Sequence, residues 1–454
     1  MNQNNIQIAK HAIVIGASMS GLLAARVLSE RFERVTLLER DVFSENTLPR
    51  KGVPQGQHPH GLLSAGYRVL LRLFPDLQSE LVKAGALLLD VTKDGAWFQN
   101  GAFLAAATSD LHGVAISRPN LEAVVRNRVL SLKNVVALTD VAVKGLLIKA
   151  NQVIGVQYEV DSIKQQFKAD LVVDASGRGS QSPVWLERMG FVAPQVSEVK
   201  VNMAYSTRTF RRSSSDLNGK ALMVIAPKAP NQKRGAVILA QENDQWAVTL
   251  IGMHGDHPPT DQAGFLEFTR SLPTPELYNL LKNAEPLSEI VPYKFPASLR
   301  RHYEKLKSFP EGFLVLGDAM CSFNPIFGQG MSVASLEAQA LSTALNLGIK
   351  GIGKRFFKQA AGVVDTAWML AAGADFAFAE TIGKRGPEVN LINAYIAKLL
   401  TVAAHDPILT VAFHSVGNMV KPPSSLFVPS IVWRVWRGSS HEKNHQPSLV
   451  VAQP

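Results

Sequence analysis

GFLVLGDAMCSFNPIFGQGMSVASLEAQAL, residues 312–341, carries a short apolar strand into a turn of small residues and then into a helix. The same order occurs near the start of the chain, where HAIVIG runs into GASMSG (16–21) and then LLAARVLSERF. A helix entered in this way presents free backbone N–H groups and the positive end of its dipole, both of which attract anions. Two such turns, far apart in one chain, point to a nucleotide held at both ends.

The early turn makes specific physical demands. Gly16 permits the tight bend, Gly21 lets the helix lie close to the strand, and the middle position must be small enough for a pyrophosphate to approach. Ser18 holds that middle position beside the equally small Ala17. RVTLLER then reads as a second buried strand, completing a βαβ unit. Glu39 ends that strand, about 20 residues on, where an acid can accept both ribose hydroxyls of an adenosine. A carboxylate there repels a 2′-phosphate, which favours NAD or FAD over NADP in this turn, although the adjacent Arg40 weakens the exclusion.

Composition narrows the class. The chain has 454 residues, 46% of them hydrophobic, enough for a large core and for two or three domains. Lys and Arg total 47 against 37 Asp and Glu, a formal charge of +10 spread without a dominant run. No nucleic-acid-binding motif accompanies that charge, so the reading is no nucleic acid. An anionic cofactor or peripheral contact with an acidic membrane surface accounts for it. The single cysteine, Cys321, excludes an internal disulfide and is read as a packing residue; a reducing, cytoplasmic location is expected. MNQNNIQIAK lacks the order of a signal peptide, so folding is expected to begin at His11. No uncharged run reaches the roughly 20 residues needed to span a bilayer.

DVFSENTLPRKGVPQGQHPHGLL follows the βαβ unit as a long loop, in which Arg50, Lys51, His58 and His60 are candidates to meet a phosphate, a ring edge or a substrate. YRVLLRLFPDLQSELVKAG reads as one helix. A helix is expected near Pro119, with Arg118 just before it. VVALTD, VKGLLIKA and VIGVQYEV read as a β-meander, the last two joined at Asn151 and Gln152. From Val199 to Ile251 come consecutive antiparallel strands without helices between them. Short helices follow, and YKFPASLRRHYEKL leads back to the late turn. The rest reads as helical, ending in SIVWRVWRG, where Trp433 and Trp436 alternate with Arg434 and Arg437; packing of this end on the protein is favoured over a membrane contact.

GASMSG with Glu39, Arg118 before a helix, DASGRGS and GDAMCSFNPIFGQGM together resemble the single-component FAD-dependent aromatic hydroxylase and epoxidase superfamily, from Ala12 to about Leu345. LPRKGVPQGQHPHGLL and YKFPASLRRHYEKLKSFPEGFLVLGDA look most like a bacterial branch that includes flavin epoxidases of polyene substrates. The resemblance implies an α/β fold: a Rossmann-like FAD-binding domain with a β-meander crossover (1–70, 113–185 and 297–345), an inserted mixed β-sheet substrate domain (71–112 and 186–296) and a helical C-terminal region (346–454). By the same resemblance Gly16, Ala17, Ser18 and Gly21 hold the FAD pyrophosphate. Glu39 and its neighbour Arg40 serve the ribose, and Arg50 and Arg118 the phosphates or ribitol. Asp318 serves the ribitol or a phosphate through water. Pro325 shapes the mouth of the ring site, while Gly328, Gln329, Gly330 and Met331 lead N–H donors toward the isoalloxazine.

The activity so implied is a monooxygenase. Reduced flavin and molecular oxygen form a flavin hydroperoxide, which epoxidises or hydroxylates an apolar small molecule; no metal is needed. NADH or NADPH is the expected electron donor, with a separate flavin reductase as the alternative, because DASGRGS lacks the Asp-Gly pair that aromatic hydroxylases use toward NAD(P)H. His60 is the candidate proton donor. An isoprenoid double-bond reductase and a non-catalytic flavoprotein-fold binding protein remain as rivals. A halogenase is disfavoured because its WxWxIP motif is missing from the middle of the chain.

Overall fold

The structure, a computed structural model, describes residues 9–43, 50 and 52–443. Lys51 lies outside them. A five-stranded parallel sheet is ordered Phe313–Val315, Leu171–Asp174, Ala9–Ile15, Phe32–Leu38, Val135–Leu138. Its three central strands are buried from Leu171 to Val173, Ala12 to Ile15 and Val35 to Leu38, and the edge strand Phe313–Val315 is buried throughout. Continuous apolar runs are what a parallel sheet covered on both faces requires. The late strand enters beside Leu171–Asp174 with Val172 opposite Phe313, and Ile13 opposite Val172 completes the row. Both glycine turns therefore leave the same end of one sheet.

The meander differs from the sequence expectation. Ala142–Lys149 and Gln152–Val160 form the expected hairpin, but VVALTD does not join it. Its strand Val135–Leu138 pairs in parallel with Phe32–Leu38, because the helix Arg118–Leu130 before it supplies a crossover. Ile163–Lys168 is the third meander strand. Its residues are nearly all exposed, so no apolar alternation marked it. The expected helix from Tyr67 is likewise split into Ser64–Leu73 and Leu77–Lys83, where Pro75 cannot continue the ladder and Asp76 turns left-handed at φ 66°.

A nine-stranded, mostly antiparallel sheet stands beside the parallel one. Its centre is Val196–Arg211, flanked by Gln245–Gly252 and Val291–Arg301. Arg234–Gln241 joins Gln245–Gly252 through a tight turn with Asn243 and Asp244 at φ 59° and 50°, the geometry a two-stranded hairpin favours. YKFPASLRR, which leads back toward the late turn, is the strand Val291–Arg301. Pro296 has no N–H to donate, and the register shift between Lys200 and Met203 on the facing strand absorbs the loss.

Strand alternation gives this sheet two apolar faces. Phe210, Trp246, Val248 and Leu250 pack against Phe265, Phe268, Leu277 and Leu281 of two short helices. Val201, Met203, Tyr205, Ile251, Met253 and Phe295 face the other way, toward Ile326 of the late turn and Ala372 and Phe376 at the end of the helix Ile352–Asp375. The C-terminal helices Val389–Ala403, Pro407–Gly417 and Pro429–Lys443 bury a separate cluster around Leu399, Leu409 and Val435. This helix end packs on the protein, as expected, but through Ile431 and Val435, which leaves Trp433 and Trp436 52% and 66% exposed. Among the described residues no helix is long and apolar enough to cross a membrane.

The first turn is the tightest constraint in the sheet. A Cβ on Gly21 would lie 1.8 Å from the Gly16 carbonyl oxygen, with backbone on both sides of the clash. Gly21→Ala is expected to destabilise the protein by about 3 kcal/mol in urea unfolding. Gly362→Ala, at an open position of a later helix, should instead raise stability by about 0.5–1 kcal/mol.

Candidate functional site

The two turns meet. Gly317, at φ 66°, lies so close to the first helix that a Cβ there would come within 2.8 Å of the Ser20 side chain. The first helix, Met19–Leu28, and the late helix, Gly330–Leu345, pack against each other. Neither has a side-chain cap at its N-terminus. Among the described residues, the N–H groups of Ser18, Met19 and Ser20 in one helix, and of Gln329, Gly330 and Met331 in the other, have no acceptor. Gly328 is a correction: its N–H is committed to the Pro325 carbonyl at 3.0 Å. It serves the turn through its left-handed φ of 65° and its closeness to Gly61. Pro325 and Gly330 are exposed, whereas Gln329 and Met331 are buried.

Beside the first turn lies an ionic cluster centred on a residue that the sequence reading missed, Glu122. It is 4% exposed and stands one turn after Arg118 on the helix Arg118–Leu130. Its Oε2 accepts from the Ser18 hydroxyl at 2.9 Å and from Arg118 at 3.1 Å; its Oε1 accepts from Arg50 at 2.5 Å. Arg118 also donates to Ser18 Oγ at 2.9 Å. The serine at the middle position of the turn thus ties the turn to the arginine, which a glycine could not do. Burial opposes ionisation of Glu122, but the neighbouring guanidinium groups of Arg118 and Arg50 outweigh it and hold its carboxyl below the ordinary value. An Arg and a Glu four apart on one helix were the available signal.

Glu39 is buried, accepts the Ala17 N–H at 2.7 Å and the Asp41 N–H at 3.0 Å, and lies 3.1 Å from Arg50. Each carboxylate oxygen keeps a second lone pair, so the pair remains able to accept sugar hydroxyls. Arg50 is the hub, reaching Glu39, Asp41, Glu122 and the Ala17 carbonyl. Arg40 is elsewhere: it is exposed and donates to the Gly52 carbonyl at 3.1 Å, bracing the loop rather than facing the turn.

Asp318 and His60 are each half-buried. Burial raises the Asp318 carboxyl, while Arg118 on one side and Arg178 on the other draw it down. Arg178, from DASGRGS, also bonds Ser322 and covers the Phe295 ring at 5.3 Å. His60 donates from Nδ1 to the His58 carbonyl at 2.8 Å, and burial, then Arg118, push it down to about 3. It is neutral at physiological pH. His58, two residues earlier, faces the large sheet instead and shares a 2.7 Å hydrogen bond with Thr207.

Two buried acids brace the late turn. Glu337 accepts the Gly317 N–H at 2.7 Å, and burial pushes its carboxyl up to about 8. Asp375 accepts from Asn324 Nδ2 at 2.8 Å, while Asn324 Oδ1 accepts the Ile326 N–H at 3.2 Å. Burial pushes Asp375 up to about 7. Cys321 is fully buried in a short strand and burial pushes its thiol well up, which suits packing and not nucleophilic work.

The arrangement fits a dinucleotide. Arg118 Nε is buried without a partner beside the free N–H groups of the first helix, and the start of the late helix is open around Gly330. No protein-family model matches the chain. Protein Rv3254 of Mycobacterium tuberculosis is 34% identical over 383 residues, 81% of this chain and 80% of that protein. Among solved structures, a flavoprotein/dehydrogenase from Cytophaga hutchinsonii superposes with a TM-score of 0.67 at 15% identity, covering 96% of this chain and 99% of the other. PqsL, a probable FAD-dependent monooxygenase from Pseudomonas aeruginosa, gives 0.60 at 16%, over 81% and 97%. The flavin-dependent brominase Bmp2 gives 0.59 at 16%, over 96% and 99%. The fold is that of flavin-dependent monooxygenases and halogenases.

Glu122→Ala is expected to cost roughly 3–5 kcal/mol, because it strands buried guanidinium groups. The Glu122 carboxyl titrates below 4.5 in the fold, so its contribution is complete above that pH and is lost as the pH falls through the folded value. Glu122→Gln should flatten the acid limb of a stability–pH profile. Glu337 has the opposite sign: stability declines as the pH rises from 4.5 toward 8, and Glu337→Gln should remove that decline in urea midpoints.

Proposed function

The chain belongs to the family of Protein Rv3254, and we propose that it is an FAD-dependent monooxygenase inserting one oxygen atom, by epoxidation or hydroxylation, into an apolar small molecule. The observation that carries the reading is that two helices packed against each other both have uncapped N-termini, and that the late turn lies against Ser20 at the start of the first. Together they offer donors to a long anionic ligand in two places.

On this reading Ser18, Met19 and Ser20 give backbone N–H donors to the pyrophosphate. Arg118 faces it through its unpartnered Nε. Glu122 holds Arg118 and Arg50 in place and offsets their charge, so the helix dipole supplies much of the attraction. Glu39 takes the ribose hydroxyls and Asp318 the ribitol. FAD bound there would supply the reduction of dioxygen and the transfer of one oxygen atom. Gln329, Gly330 and Met331 then aim N–H groups where negative charge develops on the ring, and such preorganised donors act most strongly where water is excluded. The packed apolar cluster of Met203, Ile251 and Phe295, against Ile326 of the late turn, keeps water from that side.

The electron balance requires NADH or NADPH, directly or through a separate flavin reductase: substrate, dioxygen, NAD(P)H and a proton give oxygenated product, water and NAD(P)+. Trp433, Trp436 and Arg437 form the surface that would touch a membrane from which an apolar substrate is drawn.

Purified protein is expected to be yellow and to convert some member of a mixture of polyenes, prenylated quinones and phenols, with NADH or NADPH, into a product heavier by one oxygen. Bromide and chloride in the same mixture separate halogen transfer by mass, and a gain of two hydrogens identifies an isoprenoid reductase. A colourless protein that FAD cannot reconstitute sinks the enzyme reading and leaves a binding protein.

A further inference from the structure

The last helix, Pro429–Lys443, is apolar on two sides. At about 100° per residue, Ile431 and Val435 lie together on the side that packs on the protein, while Val432, Trp436 and Trp433 span an arc of about 100° on another. A surface helix carries charged groups on its outer side, and a helix apolar on both sides is normally buried. Here the second side faces outward: Val432 is 39% exposed and both tryptophans more so. Arg437 borders the arc, its guanidinium 5.1 Å from the centre of the Trp433 ring.

The patch continues beyond this helix. Phe427 and Val428, just before it, are exposed. Phe427 stacks on Tyr395 with ring centroids 4.8 Å apart. Leu391, one turn before Tyr395 on the helix Val389–Ala403, which packs on the last helix, is 76% exposed. Exposed apolar side chains scattered singly need no explanation, but six drawn from two packed helices and the link before one of them mark an interaction surface.

The charge of this region says what the surface fits. From Val389 to His441 the only carboxylate is Asp406, and Arg434 pairs with it at 3.0 Å. Lys398, Lys421 and Arg437 in the same stretch are exposed. A second copy of the chain would set these cations against one another. An acidic bilayer surface complements them, and indole rings flanked by arginines suit a helix that lies in the headgroup layer. Among the described residues no helix is long and apolar enough to cross a membrane, so the contact is with one surface.

We propose that Leu391, Phe427, Val428, Val432, Trp433 and Trp436 dock the protein reversibly on an anionic phospholipid bilayer, the apolar side chains entering the headgroup layer and Arg437 meeting the phosphates. This extends the membrane contact of the proposed function to a whole face and to the charge of its partner, and rests on that reading only for the purpose of the contact, the supply of an apolar substrate. The docking itself needs no flavin.

The test is co-sedimentation of the full chain with phosphatidylcholine vesicles, with and without phosphatidylglycerol, at low and high salt. Binding is expected with phosphatidylglycerol, weakening as salt rises and accompanied by a blue shift of tryptophan emission. Trp433→Ser with Trp436→Ser should weaken it about tenfold or more through lost apolar area. Arg437→Gln should weaken it about fivefold, the share of one cation near a charged surface. Thermal unfolding should stay unchanged, since all three side chains are exposed. Trp433→Leu with Trp436→Leu should retain binding, which separates lost apolar surface from a lost fold. Absence of binding to either vesicle, or binding that the serine variant leaves intact, overturns the proposal. So does a dimer in vesicle-free solution that the serine variant dissociates, which assigns the face to a second copy. Colourless protein that still binds anionic vesicles sinks the flavin reading and leaves the docking surface standing; yellow, active protein that binds none does the reverse.

Discussion

The missing side chain of two glycines sets the geometry on which the rest depends. Gly21 lets the first helix touch the Gly16 carbonyl, and Gly317 lets the late turn touch Ser20. Those contacts bring the late turn against the start of the first helix, at the end of the sheet from which both turns leave. Alternatives are sterically closed, since a Cβ at either position would overlap atoms that cannot withdraw.

Around this junction the charges are nearly balanced. Arg50, Arg118 and Arg126 face Glu39, Asp41 and Glu122 within one buried cluster. Such a cluster is costly to bury, and it persists because its ions are paired and, apart from Arg126 over the Phe43 ring, hydrogen-bonded. Its effect is positional: Glu122 fixes Arg118, Arg118 fixes Ser18, and Ser18 fixes the turn. The acids under the late turn act in the other protonation state. Burial keeps Glu337 largely neutral at pH 7, so it can accept the Gly317 N–H without adding full negative charge beside Asp318.

The large sheet divides its labour by strand parity. Trp246, Val248 and Leu250 anchor it to its own helices, while Thr249, Ile251, Thr207 and Tyr205 point to the cleft side. Asp375 and Asn324 connect that side to the late turn through hydrogen bonds buried from water.

The amino-acid sequence by itself determined the parallel sheet, both glycine turns and the acid at the end of the second strand. Their signals are local: continuous apolar strands, small residues at the bend, and a helical period directly after it. It did not reveal Ile163–Lys168, whose exposed polar residues pair only because Gln152–Val160 lies alongside. It placed VVALTD in the wrong sheet because strand pairing depends on the crossover helix and not on the strand's own pattern. It named His60 as a candidate but could not show what only the tertiary structure does, His58 against the tyrosine pair Tyr205 and Tyr293 and His60 beside Arg118. Glu122, Arg178 and Asp375 belong to the same class. Their partners are distant in the chain, and a buried charge or an unpaired hydroxyl acquires meaning only from the atoms that folding brings against it.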